Sequence, residues 1–245
     1  MILFMLRGLI NGLTDILYPK TCHACKRKLN SSSVDNLVCL ECWNKIKKNS
    51  PPFCHSCGRH LGARNFAKNI CPACVRAKLH FDRAFSPCAY DGVVKELIHQ
   101  FKYGNKDYLA APLSRLMIEH INEYNLPINF IDVIVPVPLH QARLREREFN
   151  QAEALSRFIS KKFNKDISLD LISRHRHTKS QTDLAPQERF ENVKNSFRVN
   201  KNRDIKSKNI LLVDDVLTTA ATCSEAALAL KTAGAGIVFV LTLAN

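Results

Sequence analysis

The chain has 245 residues, enough for one sizeable domain and a small companion. With 46% hydrophobic and 24% charged residues and only 8 glycines, it is a folded, globular type, which excludes collagen-like, low-complexity and disordered classes. Its formal net charge of +14 suits a polyanionic partner and excludes an acidic, solvating chain.

That charge is uneven. Residues 1–80 carry 13 Lys and Arg against 3 Asp and Glu, whereas residues 81–245 carry 23 against 19. The N-terminal part is the basic end, a surface suited to nucleic acid, with plain solubility charge as the competing reading. The opening run Met1–Leu6 gives way to Arg7, Gly8, Gly12 and Asp15, well short of the ~20 apolar residues of a membrane helix. It also lacks the basic start and small-residue cleavage site of a secretory signal, so a cytoplasmic protein with no membrane span is expected. Leu6, Leu9, Ile10, Leu13, Ile16 and Leu17 recur at helical spacing and predict an amphipathic helix packed on the rest of the chain.

Two sets of cysteines follow: Cys22, Cys25, Cys39 and Cys42, then Cys54, Cys57, Cys71 and Cys74. Each member of the second set lies 32 residues after its counterpart, and His23 and His55 keep the same offset. The unit is Cys-x-x-Cys, a 13-residue gap and Cys-x-x-Cys, repeated once. Two such knuckles present four sulfurs to a tetrahedral cation, so two structural zinc ions are expected, with no open coordination position for catalysis. Disulfides compete for the same residues, but reduced thiols are the cytosolic norm. The repeat favours sequential pairing, and an interleaved pairing uses the same eight sulfurs. His23 and His55 read as bystanders. Cys88, in an apolar run, and Cys223, just past a turn, read as inert buried thiols. Trp43, Phe53 and Phe66 could stack bases, although Trp43 beside Cys42 could equally cover the metal core.

From Phe81 the pattern changes to strands alternating with helices, which implies an α/β domain with a mostly parallel sheet flanked by helices. Ala84–Tyr90 reads as a strand, Gly92–Phe101 as a helix ending at Lys102 and Tyr103, and Asp132–Val137 as a second strand. A long helix then runs to about Lys162. Near its start, Arg143, Arg145 and Arg147 could grip a pyrophosphate; a solvated helix start with Glu146 and Glu148 interleaved is the bland alternative. Arg174, Arg176 and Gln181, with Arg189 and Asn192 downstream, have the makeup of a flap closing over an anion, with an ordinary surface loop as the competing reading. Residues 1–80 are thus expected to hold the helix and cysteine module, and residues 81–245 the larger domain.

Residues Ile210 to Thr222 carry the most chemistry. Ile210–Val213 is a buried strand, Asp214 and Asp215 follow at its carboxyl end, and a small-residue turn opens onto a helix over Cys223–Thr232, before a last strand at Ile237–Thr242. This is the layout of a sugar-phosphate site: carboxylates for vicinal hydroxyls or a hydrated magnesium ion, and backbone N–H groups at a helix N-terminus for a phosphate. The stretch resembles the phosphoribosyl-pyrophosphate (PRPP) motif of type I phosphoribosyltransferases. That resemblance implies that Asp214 and Asp215 bind the ribose 2′- and 3′-hydroxyls, that Thr218, Thr219, Ala220, Ala221 and Thr222 cradle the 5′-phosphate, and that magnesium comes with PRPP. Purine-using relatives often have a carboxylate where this chain has Thr218, and Ala220 stands where glycine is usual. Its methyl group is tolerable while φ stays negative.

Over its whole length the chain resembles the ComF family of GntX-like competence proteins. The likeness runs through Leu17-Tyr18-Pro19, the doubled knuckles, Phe101-Lys-Tyr-Gly104, Val135-Pro-Val-Pro-Leu-His140, Arg143–Arg147 with Phe149-Asn-Gln151, the Arg-x-Arg-x-Thr-x-x-Gln pattern at 174–181 and the PRPP motif. Glu148 departs from it, standing where the family typically has glycine. The resemblance implies a type I phosphoribosyltransferase fold behind a double zinc ribbon, and a cytoplasmic role in natural transformation. The implied partners are PRPP or a related phosphoribosyl ligand, incoming single-stranded DNA, and a competence helicase or recombination mediators. It leaves two functions open: a competence protein that binds a phosphoribosyl ligand and DNA, or an active transferase with an unknown acceptor.

Overall fold

The computed structural model describes residues 20–62, 69–176 and 185–245. The predicted N-terminal helix, Phe66 and Gln181 lie outside them.

The cysteine repeat is also a repeat in three dimensions. In the first unit Thr21 bridges to Lys28, strand β1 (Ser33–Val34) pairs with β2 (Val38–Cys39), and the short helix α1 covers Leu40–Asn44. In the second unit Phe53 bridges to His60, and helix α2 covers Pro72–Arg76, 32 residues after α1 at both ends. Each knuckle turns through a positive φ just after its second cysteine, at Lys26 (+64°) and Gly58 (+71°).

The larger part follows with β3 (Arg83–Phe85), α3 (Gly92–Tyr103), α4 (Ala110–Glu123), β4 (Val133–Pro136), α5 (Gln141–Arg147), α6 (Gln151–Phe163), β5 (Asp166–Ile167), β6 (Ile172–Arg174), α7 (Pro186–Val193), β7 (Phe197–Val199), β8 (Ile210–Val216), α8 (Ala221–Thr232) and β9 (Val238–Ala244). Five strands form one sheet in the order β3-β9-β8-β4-β5, every pairing parallel, and β6 pairs with β7 in a separate antiparallel ribbon. The α/β expectation of a mostly parallel sheet with flanking helices is met.

Several elements differ from expectation, β5, the β6–β7 ribbon and α7 among them, and three others bear on the site. Strand β3 stops at Phe85; after Pro87 the segment lies between the linker of the two cysteine units, with Asn49 N donating to Pro87 O at 2.7 Å and Ala89 N to Lys47 O at 3.0 Å, and the end of β9, where Cys88 bridges Ala244. The expected long helix is two, α5 and α6, broken at Glu148, which adopts φ +64°. Helix α4 was not anticipated, although Leu113, Leu116, Met117 and Ile121 recur at helical spacing and are all buried.

Alternate residues of β8 enter opposite cores. Leu211 and Val213 face α3, α4 and α6, while Ile210 and Leu212 face α8 and the β6–β7 ribbon. The cysteine units divide the same way. Cys22, Val34, Val38, Cys42 and Ile46 belong to the first core, and Cys54, Cys57, Leu61 and Cys71 to the second. Both cores therefore run across residue 80. The second knuckle also covers the sheet edge, since Ala84 N of β3 donates to Ser56 O at 2.7 Å. No described helix is long and apolar enough to cross a membrane.

Candidate functional site

The eight knuckle cysteines gather into two tetrads, Cys22/Cys25/Cys39/Cys42 and Cys54/Cys57/Cys71/Cys74, with the sulfurs of each within 4.8 Å of one another. The sequential grouping is the one present. Neither His23 nor His55 joins a tetrad. Backbone amides orient the sulfurs in the same way in both units: Cys39 N donates to Cys22 Sγ at 3.4 Å, and Cys71 N to Cys54 Sγ at 3.3 Å. Arg27 Nε donates to Cys25 Sγ at 3.4 Å and draws that thiol down to about 6. Four convergent soft ligands in a closed shell fit a structural zinc ion at each tetrad.

A cavity of about 640 Å³ opens at the carboxyl edge of β4 and β8, the place where an open α/β sheet receives ligands. Asp214 and Asp215 form its acidic floor, and Arg143, Arg147, Arg174 and Arg189 its cationic wall. Lys102, from the last turn of α3, reaches Asp215 Oδ1 at 2.9 Å, both side chains being at most 18% exposed. Burial would lower the Lys102 pKa, but the Asp215 charge and hydrogen bond outweigh it and the net direction is up. Asp214 goes the opposite way for an acid: burial first, then the charge of Asp215, push it up to about 7, against the pull of Asp215 N, which donates to Asp214 Oδ1 at 2.8 Å. Burial also raises Cys223, whose Sγ donates to Asp214 Oδ2 at 3.7 Å. Cys88 is likewise pushed up to about 12 by burial, so both leftover thiols are inert.

The turn after β8 is built for an anion. Helix α8 is preceded by Ala220 at its N-cap, which offers no side-chain cap, so the first-turn N–H groups are left for another acceptor. Ala220 itself has φ +66°. The condition under which its methyl group is tolerable, a negative φ, is therefore not met, and the turn holds a left-handed alanine at a cost of about 1–2 kcal/mol. Thr218 and Thr222 line the cavity, and Thr219 Oγ1 is buried with no hydrogen-bond partner among the described residues.

The three arginines after β4 are not equivalent. On a helix, Arg143 and Arg147 are one turn apart and share the face that lines the cavity, whereas Arg145 is exposed outside the lining. Arg147 donates from Nη1 to Gln151 Oε1 at 3.1 Å, stacks 5.4 Å from the Tyr103 ring, and has its Nε buried with no hydrogen-bond partner among the described residues. The helix starts are pinned by side chains: His140 Nδ1 accepts from Ala142 N at 3.2 Å, and Asn150 accepts from Ala152 N and donates to Val137 O, both at 3.1 Å.

Arg174 lines the cavity, but Arg176 turns away, donating from Nη2 to Asn192 O at 2.8 Å. Arg189 of α7 reaches the phosphate turn, with Nη1 3.4 Å from Thr218 Oγ1. Lys102, Arg189 and Tyr103 were named from the sequence only as members of promising segments. Lys102 and Tyr103 come from α3 and Arg189 from α7, and they join Asp215 and Thr218 around the cavity from segments distant along the chain, which no local spacing reveals.

A double zinc ribbon domain family model matches residues 13–79, and a phosphoribosyl transferase domain model matches residues 150–245. The chain is 30% identical over 221 residues to Competence protein F of Haemophilus influenzae, covering 87% of this chain and 91% of that protein. It is 31% identical over 175 residues to the DNA utilization protein YhgH of Escherichia coli K12, covering 71% of this chain and 76% of that protein. With Competence protein ComFC of Bacillus subtilis it shares 28% identity over 213 residues, 79% of this chain and 77% of that protein.

Proposed function

The chain belongs to the ComF family, and from that premise we propose that it is a cytoplasmic competence protein that handles incoming single-stranded DNA and binds PRPP in a phosphoribosyltransferase-type site. The DNA role is supported by relatives named for competence and DNA utilization and by the basic N-terminal part. One observation carries the ligand: a single cavity sets Asp214 and Asp215 opposite Arg143, Arg147 and Arg174, beside the uncapped N-terminus of α8.

In this reading the ribose hydroxyls donate to Asp214 and Asp215, the 5′-phosphate takes the N–H groups of Thr218–Thr222, and the pyrophosphate faces Arg143 and Arg147. Arg145 and Arg176, outside the cavity wall, have no part in it. Magnesium would enter with PRPP, held by Asp214 and Asp215, and would supply charge compensation for the pyrophosphate. Asp215 must then exchange Lys102 for the incoming ligand, which frees the ammonium group for a phosphate oxygen.

The second reading, a transferase, is favoured by Arg147, which lines the cavity and whose buried Nε has no hydrogen-bond partner among the described residues. Against it stands Thr218, where a purine-using enzyme would have a carboxylate. Pyrophosphate release that is lost in an Asp214→Asn, Asp215→Asn variant would establish turnover.

The DNA reading is tested by fluorescence anisotropy of labelled oligothymidylate with zinc-replete protein across a salt series. Affinity is expected to fall steeply as salt rises. An affinity indifferent to salt, or no binding at low salt, would contradict it.

A further inference from the structure

We propose that the strand crosses the exposed face of α3 and the turn after it, with unpaired bases stacked on Tyr103 and Tyr108. This rests on the DNA reading above and gives it a place. Among the described residues, the aromatic rings of the cysteine module do not supply that place. Phe53 is packed edge-on against His120 and Tyr124, with centroids at 5.8 and 5.0 Å, and Trp43 packs on the first core.

The two tyrosines are different. Tyr103 is 52% exposed and Tyr108 45%, and they are the exposed tyrosines among the described residues. Both lie in one short turn, Tyr103-Gly-Asn-Lys-Asp-Tyr108, reversed at Asn105 with φ +47°. A solvent-exposed ring costs the free protein contact with water that a stacked base would remove. Base stacking on such rings is tolerant of sequence, as a protein receiving arbitrary DNA requires. A duplex hides the faces of its bases, so the rings select single strands.

The surroundings make the turn a track. Lys95, His99 and Tyr103 are spaced by four on α3 and are all exposed along one face, which also lines the mouth of the cavity. Tyr103 stands 5.0 Å from the His99 ring and 5.4 Å from the Arg147 guanidinium. At the other end Tyr108 meets His23 of the first knuckle, with centroids at 5.5 Å. Lys106 sits between the two tyrosines and is held by Gln100. Two acidic residues border the track: Glu96, engaged by Gln100 at 2.9 Å and by Lys26 at 3.8 Å, and Asp107, exposed in the turn beside Tyr108. Rings and cations thus alternate from the phosphoribosyl cavity to the first cysteine unit, with lysines placed for phosphates and rings for bases.

The test uses full-length, zinc-replete protein and labelled oligothymidylate long enough to span both rings, with anisotropy as readout. Tyr103→Ala and Tyr108→Ala are each expected to weaken binding about tenfold, and the pair about a hundredfold. Tyr103→Phe with Tyr108→Phe, which keeps the rings, should bind within about twofold of wild type. A double alanine variant that binds like wild type would overturn the track while leaving the DNA reading intact. Equal loss in the double phenylalanine variant, or equal affinity for a duplex of the same length, would overturn stacking. Wild-type protein that binds no oligonucleotide sinks both readings together.

Discussion

Burial and the neighbouring Asp215 raise the Asp214 carboxyl to about 7, so in the ligand-free protein it holds a proton well above the usual carboxylate range. Ribose hydroxyls and a divalent cation both require the ionised form, so binding must expel that proton. Calorimetry at pH 7 in buffers of different ionisation enthalpy should show protons released on binding PRPP with magnesium. The release should be smaller in Asp214→Asn, the difference separating this group from the phosphates of the ligand. The same shift sets the sign of the stability slope. An acid whose folded pKa is raised favours the fold below its unfolded value, and that advantage is lost as pH rises through about 7. The wild-type unfolding free energy should therefore fall between pH 5 and 7 relative to Asp214→Asn. The pair of acids was legible from their place after an apolar run. The raised pKa of Asp214 was not, because it depends on how deeply the fold buries that side chain and on Asp215 beside it.

At the scale of elements, glycine-type positions carry much of the architecture. Glu148 and Ala220, the two positions where the resemblances imply glycine, both adopt left-handed backbone, at +64° and +66°. The departures were visible in the sequence; their meaning needed the dihedral angles. Glu148 ends α5, and that break is why Arg143 and Arg147 face the cavity from a short helix instead of the first turns of a long one. Gly58 shows the opposite case, a glycine kept where nothing else fits. A Cβ there would meet Ala84 O at 2.6 Å and Phe85 Cα at 3.0 Å, at φ +71°. Gly58→Ala is predicted to cost about 3 kcal/mol, from left-handed strain plus displacement of the β3 edge. Thermal unfolding beside Gly62→Ala, whose Cβ would meet nothing within 4 Å, checks it: the first variant should melt several degrees lower and the second close to wild type. Strand β3 was overextended in the sequence reading because its apolar run continues to Tyr90, while after Pro87 the later residues are shared between the Lys47–Asn49 linker and the end of β9 at Ala244 and Asn245.

For the whole molecule, the doubled cysteine unit was fully legible from its 32-residue offset, and so was the alternation that makes a parallel sheet. How the two joined was not, since docking depends on which sheet face each repeat meets. One unit completes the core against α3 and α4, and the other the core against α8. Ion pairs Arg115–Asp35 at 2.7 Å and Lys48–Glu119 at 3.1 Å add orientation at the first of these, each worth little alone. Because zinc binding is folding energy for such knuckles, stripping the metal should destabilise the sheet as well as the ribbons. Calorimetric melting of zinc-replete protein is predicted to show one cooperative transition, shifted as a whole by chelator. A chelator-sensitive ribbon transition beside an unchanged sheet transition would mean the units are merely tethered.

The central claim is that the cavity floored by Asp214 and Asp215 is a working phosphoribosyl site. Isothermal titration of zinc-replete protein with PRPP and magnesium, beside the Asp214→Asn, Asp215→Asn variant, tests it most directly. Micromolar binding by the wild type that is lost in the folded variant is the predicted result. No heat of binding in the wild type, or undiminished binding in the variant, would contradict it.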